Sequence, residues 1–148
     1  GPGLSYGSYE VHGGPVHVVT TIGTVLTVAL IVGFVYALWV RRVLLEPAAV
    51  VLVLVLGSML FARVLSPQYL AWPLGIAALA SARGGAAARS AWFVVGACAV
   101  THLDYPLAFG TITRADLVGV LILLVRDALL IAAAGWAIKA LRPAVETA

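Results

Sequence analysis

The sequence contains a long run without any charged residue, from Val18 to Val40. An α-helix of about 20 residues is long enough to cross the hydrocarbon core of a bilayer, because each residue adds about 1.5 Å. The whole chain is 63% hydrophobic and only 10% charged, whereas soluble globular chains carry about 25% charged residues. We therefore predict a membrane protein whose surface faces mainly lipid rather than water.

The apolar residues recur in several long runs rather than in alternation, which excludes a membrane β-barrel. We predict an all-α fold, a polytopic transmembrane helix bundle with about five spans. Residues 1–17 are predicted to form an outer-face loop, and residues 18–148 the transmembrane helical region. The predicted spans are 18–40, 47–64, 67–82, 86–103 and 114–138.

Prolines indicate where two of these helices begin. Pro47 is expected to open the second span, and Ser66 with Pro67 to cap and open the third, because Ser is a good N-cap and Pro a good first helical residue. Pro73 lies further along the third span. We predict a kink there, with the carbonyl of Tyr69 left without its usual donor.

Threonines lead to two further predictions. Thr113 and Asp116 have the spacing of a capping box, which predicts the start of the fifth helix at residue 114. Thr20, Thr24 and Thr27 recur at helical spacing in the first span. A face of small hydroxyl residues favours close packing against another helix.

The basic residues indicate the orientation. Those after the first, third and fifth spans share one side when the spans alternate, and the positive-inside rule assigns that side to the cytoplasm. The N-terminal segment then lies outside and the C-terminus inside. The net charge of +3 is small and scattered, so it does not indicate nucleic-acid binding. The residues concerned are Arg41, Arg42, Arg83, Arg89, Lys139 and Arg142.

A polar segment beginning at Arg63 interrupts the apolar sequence between the second and third spans. An arginine beside a helix N-terminus favours anions, because a guanidinium and unpaired N–H groups lie close together. Gln68 and Tyr69 add neutral donors and acceptors. Alternatively, Arg63 only interacts with the last carbonyls of the second helix, and Ser66 only starts the third.

Arg126 and Asp127 form the second polar feature, near the middle of the fifth span. Each charge costs about 2.5–3.5 kcal/mol in the centre of a bilayer, so both should be screened from lipid. Adjacent helical residues point in different directions, so we expect their partners on other helices. No other acid of this chain lies at that depth, which suggests further helices upstream. The alternative to a functional site is a buried interhelical ion pair that serves assembly.

Other polar residues are weaker candidates. The histidines lack a metal-ligand spacing, two outer-side carboxylates are expected to be solvated, and the single cysteine lies in an apolar run. We expect no metal and no cofactor. These residues are His12, His17, His102, Glu10, Asp104 and Cys98.

The segment from Arg63 to Leu79, RVLSPQYLAWPLGIAAL, resembles the Ser-Pro-Gln-Tyr segment of bacterial polyprenol-phosphate-mannose-dependent α-(1,2)-mannosyltransferases. These enzymes belong to the GT-C class of multi-span glycosyltransferases. Three looser stretches agree with the same family, although Asn is common there at the position of Asp127. These stretches are 6–15, 101–106 and 124–130.

The resemblance implies the C-terminal part of a longer membrane enzyme. Such enzymes transfer mannose from a polyprenyl-phosphate-linked donor to a glycolipid or glycan acceptor on the outer face of the bacterial plasma membrane. The family's catalytic carboxylate lies in the first outer loop, so the catalytic residue is expected upstream of this chain. Arg63, Ser66, Gln68 and Tyr69 would then bind the donor. The alternative is a non-enzymatic membrane scaffold or transporter subunit, which an upstream outer loop carrying an Asp would argue against.

Overall fold

The computed structural model describes residues 2–5, 8–11, 14–40, 45–62, 67–103, 107, 110–111, 114 and 116–141. Five α-helices dominate this part of the chain, which confirms the predicted all-α character of the region after residue 17. The elements in order are β1 (Pro2–Ser5), β2 (Ser8–Val11), α1 (Gly14–Val35) with a π-helical extension (Tyr36–Val40), α2 (Pro47–Leu60), a 3-10 turn (Pro67–Leu70), α3 (Ala71–Ser81), α4 (Gly85–His102) and α5 (Leu117–Ala140).

The N-terminal region differs from the predicted loop over residues 1–17. β1 and β2 form an antiparallel pair in which Pro2 lies opposite Val11 and Ser5 opposite Ser8. Helix α1 then begins at Gly14, earlier than the predicted residue 18. Pro15 occupies the start of this helix, where its missing N–H costs no intrahelical hydrogen bond.

Two helices are long and apolar enough to cross a membrane. They are Val16–Val40, with 25 residues, and Leu117–Ala140, with 24 residues, and each has a hydropathy of 2.4. Helices α2 and α3 are also apolar but contain only 14 and 11 residues. At 1.5 Å per residue, α2 is about 21 Å long, which is less than the ~30 Å hydrocarbon thickness.

A charged cap fixes the start of α2. The Glu46 carboxylate accepts a hydrogen bond from the backbone N–H of Ala49 at 2.8 Å, and Pro47 follows as the first helical residue, as predicted. The other carboxylate oxygen of Glu46 pairs with Arg83 at 3.3 Å. Because Arg83 follows α3, this pair joins the N-cap of α2 to the end of α3. Helices α2 and α3 therefore form a helical hairpin.

The structure differs from the prediction in where Pro73 lies within its helix. Residues Pro67–Leu70 form a 3-10 turn, and the α-helix begins only at Ala71. Pro73 therefore lies in the first turn of α3, where a proline does not interrupt a continuous helical hydrogen-bond series. The change from 3-10 to α-helix occurs before Ala71, two residues ahead of Pro73.

The predicted start of α5 at residue 114 is wrong. The helix begins at Leu117, with Asp116 itself as the N-cap in an extended conformation and without a side-chain capping bond. The backbone N–H of Asp116 instead donates to the carbonyl of Thr111 at 2.9 Å. Thr113 lies outside the described residues. Asp116 therefore lies at the N-terminus of α5, where the positive end of the helix dipole favours an acidic residue.

Helices α4 and α5 pack closely because their facing residues are small. The Ser90 hydroxyl of α4 donates a buried hydrogen bond to the carbonyl of Ala133 in α5, at 2.8 Å. Such a side-chain bond across a helix pair requires the two backbones to approach closely, as small residues allow. The buried alanines of the two helices are Ala87, Ala91, Ala97, Ala133 and Ala137.

Helix α1 has far less contact with the bundle. Among the described residues of α1, only Gly23 is buried. The threonine hydroxyls donate hydrogen bonds to carbonyls of the same helix, for example Thr24 to Thr20 at 2.9 Å. Thr20 and Thr27 are half-buried while Thr24 is exposed. The predicted threonine packing face is thus only partly used. Most of the apolar surface of α1 stays exposed in this chain.

Replacing Gly23 with Ala is expected to push α1 away from α2. A Cβ at this position would lie 2.5 Å from the carbonyl oxygen of Phe61, a backbone atom that cannot rotate aside. Overpacking of this kind costs about 1–3 kcal/mol. Gly33→Ala is the matched control, since nothing lies within 4 Å of a Cβ there. Thermal stability of the purified variants should fall for Gly23→Ala alone; equal stability of both would refute the tight contact.

Candidate functional site

The basic residues Arg83, Arg89 and Lys139 lie at one end of the bundle, which we name the basic end. Arg83 follows α3, Arg89 lies near the start of α4, and Lys139 lies in the last turn of α5. The opposite end, which we name the Tyr69 end, contains the 3-10 turn and the ends of α2 and α4. The turn that contains Gln68 and Tyr69 lies at this second end, and the Arg126–Asp127 pair lies in the half of α5 nearer to it.

The 3-10 turn is attached to α4 by a partly buried hydrogen bond. Leu70 is buried, and its carbonyl accepts a hydrogen bond from the thiol of Cys98 at 3.6 Å. Next to it, the rings of Tyr69 and Trp72 are in contact, with centroids 5.2 Å apart and planes tilted by 47°. Tyr69 is half-buried, while Trp72 is 63% exposed. The turn therefore presents an aromatic pair at the edge of the bundle.

Arg126 and Asp127 pair with each other, so the prediction that adjacent residues of a helix would not pair is wrong. The Arg126 Nε and Nη2 both contact Asp127 Oδ1, at 3.0 and 2.9 Å. The arginine side chain is long enough to fold back along the helix to its neighbour. Its side chain is 8% exposed and that of Asp127 is 47% exposed. The pair thus has one deeply buried member and one accessible carboxylate.

The packing of α4 on α5 fixes the height of this pair. Gly96 of α4 faces the side chain of Leu129, and Ser90 lies opposite Ala133, so the two helices are antiparallel. Two residues nearer the Tyr69 end on each helix, Cys98 of α4 is level with Asp127 of α5. Since Cys98 also contacts Leu70 of the 3-10 turn, the turn and the ion pair lie at the same height along the bundle.

At the Tyr69 end, the two longest helices, α1 and α5, extend well beyond the height of the turn and the ion pair. Arg126 lies nine residues after Leu117, the first residue of α5, or about 14 Å along the helix axis. On the other side, the carbonyl of Phe61 faces Gly23, which is seven residues beyond Val16, the start of the apolar span of α1, or about 10 Å. Helices α1 and α5 therefore extend past the level at which α2 ends and α3 begins.

The predicted site residues fall into three groups. Arg126 and Asp127 form the ion pair, and Tyr69 forms the aromatic contact with Trp72. Gln68 lies in the 3-10 turn, but its side chain is outside the described part of the chain. Arg63 and Ser66 also lie outside the described residues. The structure therefore brings the 3-10 turn and the ion pair to one height, while leaving the position of Arg63 as a prediction.

Sequence reasoning missed two contributors to this level of the bundle. Cys98 was treated only as an apolar-run cysteine, and Trp72 was not singled out. The three-residue spacing of Tyr69 and Trp72 was the available signal, because residues three apart in a helical segment lie on one face. For Cys98 the sequence carries no comparable signal, since its partner is the distant carbonyl of Leu70.

The remaining predicted candidates are dispersed. His17 is exposed on α1, where its carbonyl accepts hydrogen bonds from Thr20 and Thr21 at 3.0 and 2.8 Å. His102 is exposed at the end of α4. Among the residues that the structure describes, no group of three or more His, Cys, Asp and Glu side chains could hold a metal ion. His12 and Asp104 lie outside that part, as does the side chain of Glu10.

No family model, curated protein or solved structure matches this chain.

Proposed function

We propose that this chain is the C-terminal membrane portion of a hexosyltransferase that moves mannose from a polyprenyl-phosphate donor to a glycolipid or glycan acceptor. The observation that carries the proposal is the common height of the 3-10 turn and the Arg126–Asp127 pair inside an apolar bundle. A lipid-linked sugar phosphate needs polar groups beside apolar walls, and this arrangement offers both. The resemblance of the segment from Arg63 to Leu79 to the mannosyltransferases supports the same reading.

The residues of the proposed donor site, around the 3-10 turn and the ion pair, would have different roles. Arg63, Ser66 and Gln68 would contact the donor phosphate, since a guanidinium fork and the first N–H groups of a helical turn both favour anions. Tyr69 and the exposed ring of Trp72 would cover the adjacent apolar part of the donor. The Arg126–Asp127 ion pair would form a polar part of the wall of the site. The catalytic carboxylate would come from the upstream part of the enzyme.

The short helices suggest how the site lies in the bilayer. We infer five membrane-embedded helices, of which α2 and α3 form a hairpin that enters from the basic end and turns back before reaching the outer surface. Support comes from the length of α2 and from the contact of Phe61 with Gly23, about 10 Å inside the start of the apolar span. Backbone that is not helical is tolerated at such depth where protein or a water-filled cavity surrounds it. This hairpin would form the floor of an outward-facing recess.

In the orientation that we propose from the positive-inside rule, the basic end lies in the cytoplasm of a bacterial cell and the N-terminal segment lies outside. In a background without Cys98, a cysteine replacing exposed Ala82 should resist labelling by a membrane-impermeant thiol reagent in intact cells. A cysteine replacing His17, exposed near the start of α1, should be labelled. Labelling of position 82 from outside, with position 17 protected, would reverse the orientation and remove the outer-face site.

The transfer of radiolabelled mannose from polyprenyl-phosphate-mannose tests the function itself. Membranes that contain the full-length protein should transfer mannose to an extracted glycolipid acceptor, whereas membranes that lack the protein should not. Equal transfer by both membranes, with the protein present and folded, would leave the alternative of a scaffold or transporter subunit. The distinction is sharp because that alternative requires no sugar donor.

A further inference from the structure

Two cations share one aromatic ring at the basic end. The guanidinium carbon of Arg89 lies 4.6 Å from the ring centroid of Trp136, and the Lys139 ammonium lies 4.5 Å from the same centroid. Arg89 belongs to α4, while Trp136 and Lys139 belong to α5. The ring thus holds a cation from each helix at the junction of the two helices. Both cationic side chains are exposed.

These two charges are not balanced within the described part of the chain. Arg83, the third described cation of the basic end, is paired with Glu46. Neither Arg89 nor Lys139 forms a salt bridge with any described residue. Cation–π contacts offset part of the cost of holding two like charges close together, but they leave the local charge positive. An anionic group that contacts both cations would lower that repulsion.

Next to the two cations, on the side away from the basic end, the surface of the bundle is apolar. Trp92 follows Arg89 by about one helical turn and is 74% exposed. Ile138, beside Lys139, is 56% exposed. Since α4 runs from the basic end toward the Tyr69 end, Trp92 lies farther from the basic end than Arg89 does. Cations near the end of a helix, with exposed tryptophan below them, are the arrangement expected at the boundary between lipid headgroups and hydrocarbon.

We propose that Arg89, Trp136 and Lys139 form a binding site for the headgroup of an anionic phospholipid. The two cations contact the phosphate region, and an acyl chain lies along the exposed apolar side of α4 that includes Trp92. Basic pockets between helices are a recognised chemistry for such headgroups. The site requires only that the chain lies in a bilayer, so it is independent of sugar transfer. A bound lipid would bridge α4 and α5 at their basic end.

Native mass spectrometry of the purified full chain in detergent tests this site. The chain is titrated with dioleoylphosphatidylglycerol or dioleoylphosphatidylcholine, and bound lipid is counted. The parent is expected to bind the anionic lipid at least about tenfold more tightly, because each cation near an anionic headgroup contributes about a fivefold change in affinity. Equal binding of the two lipids by the parent would overturn the proposal, and this comparison needs no variant.

Variants that remove one or both of these charges locate the site. Arg89→Gln should weaken phosphatidylglycerol binding about fivefold, and Arg89→Gln with Lys139→Gln about 30-fold, with phosphatidylcholine binding unchanged as evidence of folding. Arg114→Gln is the matched control, since Arg114 is an exposed arginine located away from this end, and it should change nothing. An equal loss in Arg114→Gln would reduce the effect to net charge. Displacement of the lipid by millimolar inorganic phosphate would show a free-anion site and overturn the lipid assignment.

Discussion

Replacing Arg126 with Ala is expected to lower the stability of the folded chain by about 2–4 kcal/mol. The substitution removes the partner of Asp127 and leaves a carboxylate in an apolar bundle, and breaking a buried ion pair from one side typically costs about 3–5 kcal/mol. The lower part of this scale applies because the Asp127 side chain is 47% exposed. Fluorescence-detected gel filtration after heating should show a lower midpoint temperature and a smaller amount of monodisperse protein.

Two further variants separate the loss of the pair from the loss of an arginine. Arg89→Ala removes an exposed arginine without breaking a salt bridge, and it should cost less than about 1 kcal/mol, the scale of an exposed cation–π contact. Replacing both Arg126 and Asp127 with Leu should recover most of the stability, because exchange of a buried pair for apolar residues is often neutral or stabilising. If Arg126→Ala is as stable as Arg89→Ala, the pair does not stabilise the fold.

The helices could be predicted because the sequence marks their ends. Pro47 and Pro67 open elements in the structure, and the uncharged runs are long enough to require helical backbone in an apolar environment. The finer boundaries depended on local choices between competing caps. Asp116, rather than Thr113, occupies the N-cap position of α5, since either residue type is favoured there and periodicity does not distinguish between them.

The candidate site could be predicted only in its parts. Ser-Pro-Gln-Tyr and Arg-Asp stand out as polar residues in apolar sequence, but nothing in their spacing along the chain indicates that they share a height. That relation comes from the packing of α4 on α5 and from the Cys98–Leu70 contact, both of which join distant parts of the chain. The pairing of Arg126 with Asp127 was missed because periodicity describes the direction of the Cα–Cβ bond, whereas a long arginine side chain can fold back.

The largest functional effect is expected at Arg63. In the full-length enzyme, Arg63→Lys keeps the positive charge but loses the planar fork that contacts two phosphate oxygens. Loss of one charge-assisted hydrogen bond costs about 1–3 kcal/mol, so mannose transfer at limiting donor should fall by about fivefold to 150-fold. Arg63→Ala removes the charge as well and should reduce transfer further, while the amount of enzyme in the membrane stays the same.

The control variant, Arg83→Ala, lies at the opposite end of the bundle from the proposed donor site. Arg83→Ala removes an arginine whose side chain is 69% exposed at the basic end, far along the α2–α3 hairpin from the site, and transfer should continue at the parent rate. Raising the donor concentration should restore part of the activity of Arg63→Lys, because a weakened phosphate contact acts first on donor binding. If Arg63→Ala transfers mannose at the parent rate under limiting donor and at matched protein level, Arg63 does not bind the phosphate. It then serves only to anchor the end of α2, and the donor must be held by other residues.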